Sequence, residues 1–198
     1  MAVSMVDIRP VTLRRWGDVA TVFGRRGNDP AWCWCRRFVD PPPEQADLSH
    51  RCRDNRAALR KEVADATVSP GLIAYLDDHA VGWTRVGPRD GFAGVRDNRA
   101  LRRLLAPNPG AWWITCCFVA AHARGRGVGI ALARAAAQFA FEHGATCVEG
   151  HPVDVAALKN ARAAPSAVFT GTVAMFTAAG FTEVGRTFAS RPVMRRTR

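Results

Sequence analysis

The sequence predicts an α/β fold, a mixed sheet with helices on both faces organised around a central parallel strand–helix–strand unit. Three observations carry this. The run Trp112-Trp113-Ile114-Thr115-Cys116-Cys117-Phe118-Val119 has the length and character of a buried strand. A helix of mostly small apolar residues spans Val128 to His143, with Gly144 as its C-cap, and a strand from Thr146 to Glu149 follows. Two strands joined through a helix lie parallel, with a right-handed crossover.

The remaining elements follow in chain order. Val6 to Pro10 is a short first strand, and Leu13 to Phe23 a helix, since Trp16, Val19, Ala20 and Phe23 recur at helical spacing and Thr12 is placed to cap it. Trp32-Cys33-Trp34-Cys35 lies between the helix-breaking Gly27-Asn28-Asp29-Pro30 and Pro41-Pro42-Pro43. Its tryptophans either wall a binding pocket or close the core beneath a loop. From Glu44 to Ala66 a polar stretch with Leu48, Cys52, Leu59 and Val63 reads as an amphipathic helix. Leu72 to Leu76 and Val81 to Val86 form a hairpin around Asp77-Asp78-His79-Ala80, which makes His79 a turn residue. Residues 87 to 110 are a loop with a helical piece near Arg99 to Leu105. After a loop from 150 to 168, Thr170 to Ala179 is a helix closed by Gly180, and Phe181 to Val184 and Pro192 to Arg195 are short strands.

Composition narrows the function. At 198 residues with 48% hydrophobic content, the chain reads as one domain, residues 1–198, able to bury a sizeable core. No apolar run approaches the length of a membrane span and no signal sequence opens the chain, so a cytoplasmic location without membrane attachment is expected. The net charge of +11 is compatible with nucleic acid, an anionic surface or an acidic ligand. Its arginines are scattered, without the aromatic and basic interleaving of an RNA-binding motif, which favours the acidic ligand over nucleic acid. The tail Arg195-Arg196-Thr197-Arg198 is expected to be solvated. Six cysteines without a signal sequence read as reduced thiols. Cys33, Cys35, His50 and Cys52 would supply four zinc ligands, but Cys-x-Cys is tighter than the usual zinc spacing and no second pair completes it, so no metal is expected.

The chemistry concentrates at Arg124-Gly125-Arg126-Gly127-Val128-Gly129. Alternating glycines let the backbone turn tightly and approach a ligand. The first amides of the following helix have no internal partner, and the helix dipole, Arg124 and Arg126 all favour an anion there, so the loop reads as a phosphate cradle. One family with such a cradle binds dinucleotides through G-x-G-x-x-G, with an acid about 20 residues on, where Glu149 lies. That motif needs a small residue at Ile130 and a turn directly after its strand, whereas five residues, 120 to 124, intervene.

The better match is to the GNAT superfamily of acyl-CoA-dependent N-acetyltransferases. Arg124, Gly127 and Gly129 resemble its pyrophosphate loop, Q/R-x-x-G-x-G/A. The run 112–119 resembles its fourth strand, and Ala121-His122-Ala123-Arg124 its Pro-x-x-Arg approach without the proline. Met175-Phe176-Thr177-Ala178-Ala179-Gly180-Phe181 resembles its Leu-Tyr-x-x-x-Gly-Phe end piece. The resemblance implies a GNAT-like mixed, mostly antiparallel sheet whose two parallel strands splay apart. Acetyl-CoA would lie in the gap as cosubstrate, its pantetheine pairing with the main chain of Phe118 and Val119 and its pyrophosphate on Arg124, Gly125, Arg126, Gly127, Val128 and Gly129.

The activity implied is transfer of an acetyl group to a primary amine of a small molecule or protein by direct attack; the alternative is a non-catalytic acyl-CoA sensor. Family members often carry a glutamate on the fourth strand as base, which this chain lacks. Glu149 and His151, two apart on an extended chain and so facing one side, are the substitute acid/base pair. Trp32, Trp34, Trp113 and Asp154 would line the acceptor pocket, the aromatics suiting a partly apolar amine and the acid drawing a cation. The family's tyrosine falls at Phe176 and its asparagine at Phe169, so the thiolate must leave without a tyrosine proton. Cys116 and Cys117 keep a covalent acyl-enzyme open. A homodimer is compatible with the resemblance.

Overall fold

The computed structural model describes residues 5–24, 33–41, 51–158 and 168–198, leaving aside the side chains of 51 and 52. Trp32, His50 and the expected first turns of the helix from Glu44 lie outside the described residues. The first strand, β1 (Asp7–Pro10), leads through a single 3-10 turn (Leu13–Arg15) into helix α1 (Trp16–Gly24). Thr12 stands at the cap position, but its side chain makes no capping bond. Its carbonyl instead accepts from Arg15 N–H at 2.9 Å. Helix α2 (Arg51–Asp65) precedes the hairpin of β2 (Gly71–Leu76) and β3 (His79–Pro88). The hairpin turns on Asp77 and Asp78, both at positive φ (49° and 59°), the geometry a two-residue turn needs to match strand twist. His79 sits exposed beside it, its Nδ1 at 2.6 Å from Asp77 O.

Two short helices, α3 (Ala93–Arg96) and α4 (Arg99–Leu104), occupy the following loop, and Asn98 caps α4 by accepting from Ala100 and Leu101 N–H, each at 3.0 Å. Then come β4 (Ala111–Val119), α5 (Val128–Glu142), β5 (Cys147–Gly150), α6 (Val173–Ala178), β6 (Thr182–Phe188) and β7 (Arg191–Thr197). Among the described residues seven strands form one sheet in the order β1-β2-β3-β4-β5-β7-β6. Of these seven strands only β4 and β5 run parallel to one another. This is the mixed, mostly antiparallel sheet expected.

Both faces of the sheet are covered. Leu132, Ala133, Ala136, Ala137 and Ala140 of α5 are buried, recurring at helical spacing. Small side chains let α5 lie close over Trp112, Ile114 and Val148, with Phe176 and Phe181 beside them. On the opposite face Val19 and Phe23 of α1 and Leu59 and Val63 of α2 pack on Ile73, Tyr75, Trp83 and Cys116.

Strands β6 and β7 are seven residues each, longer than expected. They lengthen because they pair with one another and β7 also pairs with β5, where Glu149 lies opposite Arg195. The tail is therefore not simply solvated: Arg195 is a strand residue whose guanidinium turns to that glutamate.

Candidate active site

Strands β4 and β5 pair only from Ala111 to Ile114, opposite Cys147 to Gly150. Against β3 the register steps from Arg85↔Cys116 to Val86↔Ile114, leaving Thr115 as an extra residue on β4. Such a bulge bends its strand and interrupts pairing. On the other side β5 runs into His151-Pro152, and proline brings no N–H for a ladder. The strands diverge at this point, and residues 115–119 of β4 have no β5 partner. This is the splay expected between the parallel strands.

Which groups of β4 face the wedge follows from alternation. Ala120 N–H donates to Val81 O on β3 at 2.8 Å, whereas Cys117 N–H donates away from β3, to Phe169 O at 2.7 Å. Main-chain groups of an antiparallel pair turn alternately toward and away from the partner strand. Val119 therefore faces the wedge with Cys117, and Phe118 faces β3. That corrects the expectation for Phe118. The wedge is partly closed at its mouth: Phe169 O holds Cys117, and Val153 exchanges bonds with Gly171 O (2.9 Å) and Val173 N–H (3.0 Å).

The glycine-rich loop opens beside Val119. Gly125 and Gly127 have φ of 75° and 77°, a conformation that side chains strain, and a Cβ at either would meet open space. Gly127 caps α5 without a side-chain bond, and no acidic residue occupies the first helical turn. The amides of Val128 and Gly129 thus open a 15-residue helix with its positive dipole end uncompensated. Gly129 has a further constraint, since a Cβ there would lie 2.7 Å from Met175 Sδ. Arg124 braces the loop against the strand, its Nε donating to Val119 O at 3.1 Å. Arg126 leans toward Asp77, 3.8 Å away.

The acid/base pair does not form. Glu149 is 0% exposed; its Oε2 accepts from Arg89 Nη1 at 2.9 Å, and its Oε1 from Arg195 Nε and Nη2 at 2.9 and 2.6 Å. All of its charge is committed to structure. Arg89, 8% exposed, also donates to Ala106 O at 2.9 Å, so the glutamate ties the 87–110 loop to β5 and β7. His151 turns elsewhere, with Nε2 at 2.8 Å from Thr187 Oγ1 and 3.2 Å from Arg191 O. A proton on Nε2 satisfies both oxygens, and we assign the lone pair to Nδ1. Burial, with help from the Arg191 charge, pushes the imidazole down to about 4, so it is neutral at neutral pH.

Other expected pocket residues also take structural places. Trp113 is 1% exposed in a cluster with Phe92, Val95, Leu101 and Val193, so its ring belongs to the core. Trp34 is buried and stacked against Trp16 (5.9 Å) and Phe23 (5.1 Å), closing the core beneath its loop. Asp154 is bound by Arg186 Nη1 at 2.8 Å, which holds its carboxyl below the usual range and cancels the charge meant to draw a cationic amine. Burial pushes the Cys117 thiol up to about 12, a poor prospect for a thiolate nucleophile. Among the described residues no His, Cys, Asp and Glu group is placed to hold a metal, and no helix is long and apolar enough to cross a membrane.

Sequence reasoning missed the Thr115 bulge, the Cys117 amide, and the partners Arg89 and Arg195. None of these bears a signal in the sequence, because each depends on segments far apart in the chain. The profile of the acetyltransferase (GNAT) family matches residues 31–164. A search of curated proteins gives no match. Among solved structures, the chain resembles the aminoglycoside acetyltransferase AAC(6')-Ib in complex with coenzyme A, with a TM-score of 0.59 at 19% identity over 98% of this chain and 95% of that one. It also resembles the PaiA N-acetyltransferase of Thermoplasma acidophilum in complex with coenzyme A (TM-score 0.53, 12% identity, 98% and 99% covered). A ribosomal-protein-alanine N-acetyltransferase from Brucella melitensis aligns with a TM-score of 0.50 at 18% identity over 97% and 99%. At such identities the likeness is one of fold.

Proposed function

Because the chain belongs to the acetyltransferase (GNAT) family, we propose that it moves an acetyl group from acetyl-CoA to a primary amine of a small molecule or protein by direct attack. The observation that carries this reading is the junction of the splayed β4 edge with a loop of two left-handed glycines at the start of α5, where no side chain caps the helix. The loop amides suit the pyrophosphate, and the edge at Cys117 and Val119 suits an extended amide-bearing arm pairing as a strand would. For the arm to use Cys117 N–H, the Phe169 carbonyl must give way.

In this reading a wedge amide polarises the thioester carbonyl. Nδ1 of neutral His151 accepts the proton leaving the amine, through water. Its low basicity makes it a modest base, and the mechanism leans on positioning. Phe176 is fully buried against Phe181, with ring centroids 4.9 Å apart, and offers no proton; the thiolate leaves without a dedicated acid. The high Cys117 thiol favours direct attack over an acyl-enzyme. Acceptors to assay include aminoglycosides and peptide N-termini, since the aminoglycoside and ribosomal-protein enzymes share the fold.

A second reading, a non-catalytic acyl-CoA sensor, draws support from Phe176 in the tyrosine position and from the occupied Cys117 amide. Calorimetric titration with acetyl-CoA, NAD and NADP tests the first step. Acetyl-CoA binding with silence toward both nucleotides is expected, and its absence refutes the proposal. Thiol release across an amine panel then separates the enzyme from the sensor.

A further inference from the structure

A cavity of about 240 Å³ lies where the sheet has a notch. Strand β2 begins at Gly71, opposite Arg85, so beyond Arg85 strand β3 has β4 on one side only. The chain leading into β2, Val68 to Pro70, closes over the missing corner. None of the described residues around the cavity belongs to the wedge or the glycine loop.

Its polar feature is Arg85, 3% exposed. Nη2 donates to Glu62 Oε1, and the guanidinium carbon lies 5.7 Å from the Phe92 ring centre. Glu62 and Phe92 both line the cavity, which sets the guanidinium in its wall. The two other nitrogens, Nε and Nη1, are buried and have no hydrogen-bond partner among the described residues. A buried charged donor without an acceptor leaves its desolvation cost unreturned. Glu62 cannot make up the difference, because it also holds Arg36 Nη1 at 3.3 Å. One carboxylate thus serves two guanidinium groups, and among the described residues of this cluster one positive charge is left over. Beyond this cluster the walls are largely apolar, with Val39, Val86 and Trp112 beside Phe92.

We propose that this cavity binds a small apolar monocarboxylate, its body against Phe92 and Trp112 and its carboxylate on Nε and Nη1 of Arg85, which are buried in this structure and come within reach when the guanidinium turns toward the opening. A single negative charge balances the cluster. A phosphate dianion would bring two charges against one, beside the Glu62 carboxylate. The site stands apart from the acetyl-transfer reading and does not depend on it.

Benzoate is the probe, with benzamide as its neutral counterpart, titrated into the full chain by NMR. Benzoate is expected to bind, with intermolecular NOEs from its ring protons to the Phe92 and Trp112 rings. Benzamide is expected to bind at least about tenfold more weakly, and Arg85→Met to weaken benzoate at least about tenfold. A dispersed amide spectrum checks that the variant folds; if it does not, the NOE and benzamide measurements on the unaltered protein decide. No benzoate binding, equal binding of benzamide, or NOEs to other residues would overturn the proposal.

Discussion

Replacing Glu149 with Gln keeps the side-chain shape and one acceptor oxygen but removes the negative charge between Arg89 and Arg195. The two arginines differ in what they lose. The Arg195 side chain is 34% exposed, so water screens much of its share. Arg89 is 8% exposed and retains only Ala106 O and a neutral amide. Removing one partner of a buried pair costs about 3–5 kcal/mol because it leaves the other charge uncompensated. The retained oxygen and the exposure of Arg195 place E149Q at the lower end, about 3 kcal/mol. For a chain of this size each kcal/mol lowers the melting temperature by about 2–4 °C, giving a drop of about 6–12 °C. Thermal unfolding followed by circular dichroism measures it. Adding Arg89→Met should recover part of the loss, since the orphaned charge goes with it. Activity measured well below the melting temperature should change less than about tenfold, where loss of a general base would remove about 10²–10⁴-fold. A melting temperature within about 2 °C of the parent, with a collapse in turnover, would refute the structural role and return Glu149 to the chemistry.

Three other outcomes are expected. Gly127→Val puts a branched side chain at a φ of 77° and over the open face of the loop, so acetyl-CoA binding measured by calorimetry should be lost; affinity within threefold of the parent would remove the loop from cofactor binding. His151 has a folded pKa of about 4 against an ordinary 6.5. The unfolded chain takes up its proton first, so the stability it contributes is full above 6.5 and lost as pH falls from 6.5 toward 4. His151→Gln should flatten urea-unfolding stability across that window, and an unchanged slope counts against the burial argument. Gly150→Ala would place a Cβ 2.5 Å from Cε1 of the fully buried Phe176 ring, costing about 1–3 kcal/mol by denaturant titration; a neutral result would mean the ring can shift.

The fold was legible where the signal is local. The 112–119 run, the small-residue helix and the Asp77-Asp78 turn have the strand and helix periods and the turn chemistry that a short window of chain dictates. The phosphate loop was legible for the same reason, because its alternating glycines answer to backbone conformation at those very positions. Trp113 and Trp34 were harder. A tryptophan in a strand or loop carries the same sequence signal whether it faces a ligand or the core, and only packing against Val193 or Phe23 separates the two. The Glu149–His151 pair failed because spacing of two sets a side, not a partner.

By its sequence alone this chain determined its central parallel unit, its anion-ready helix start and its likeness to a family, all products of residues close together in the chain. The tertiary structure decided what Glu149 does, since its partners Arg89 and Arg195 stand 60 and 46 residues away. It also decided which β4 amides face the wedge, because the Thr115 bulge exists only in the register of β4 against β3. Local steric preference is written into a few successive residues, whereas pairing and charge compensation arise only when distant segments meet.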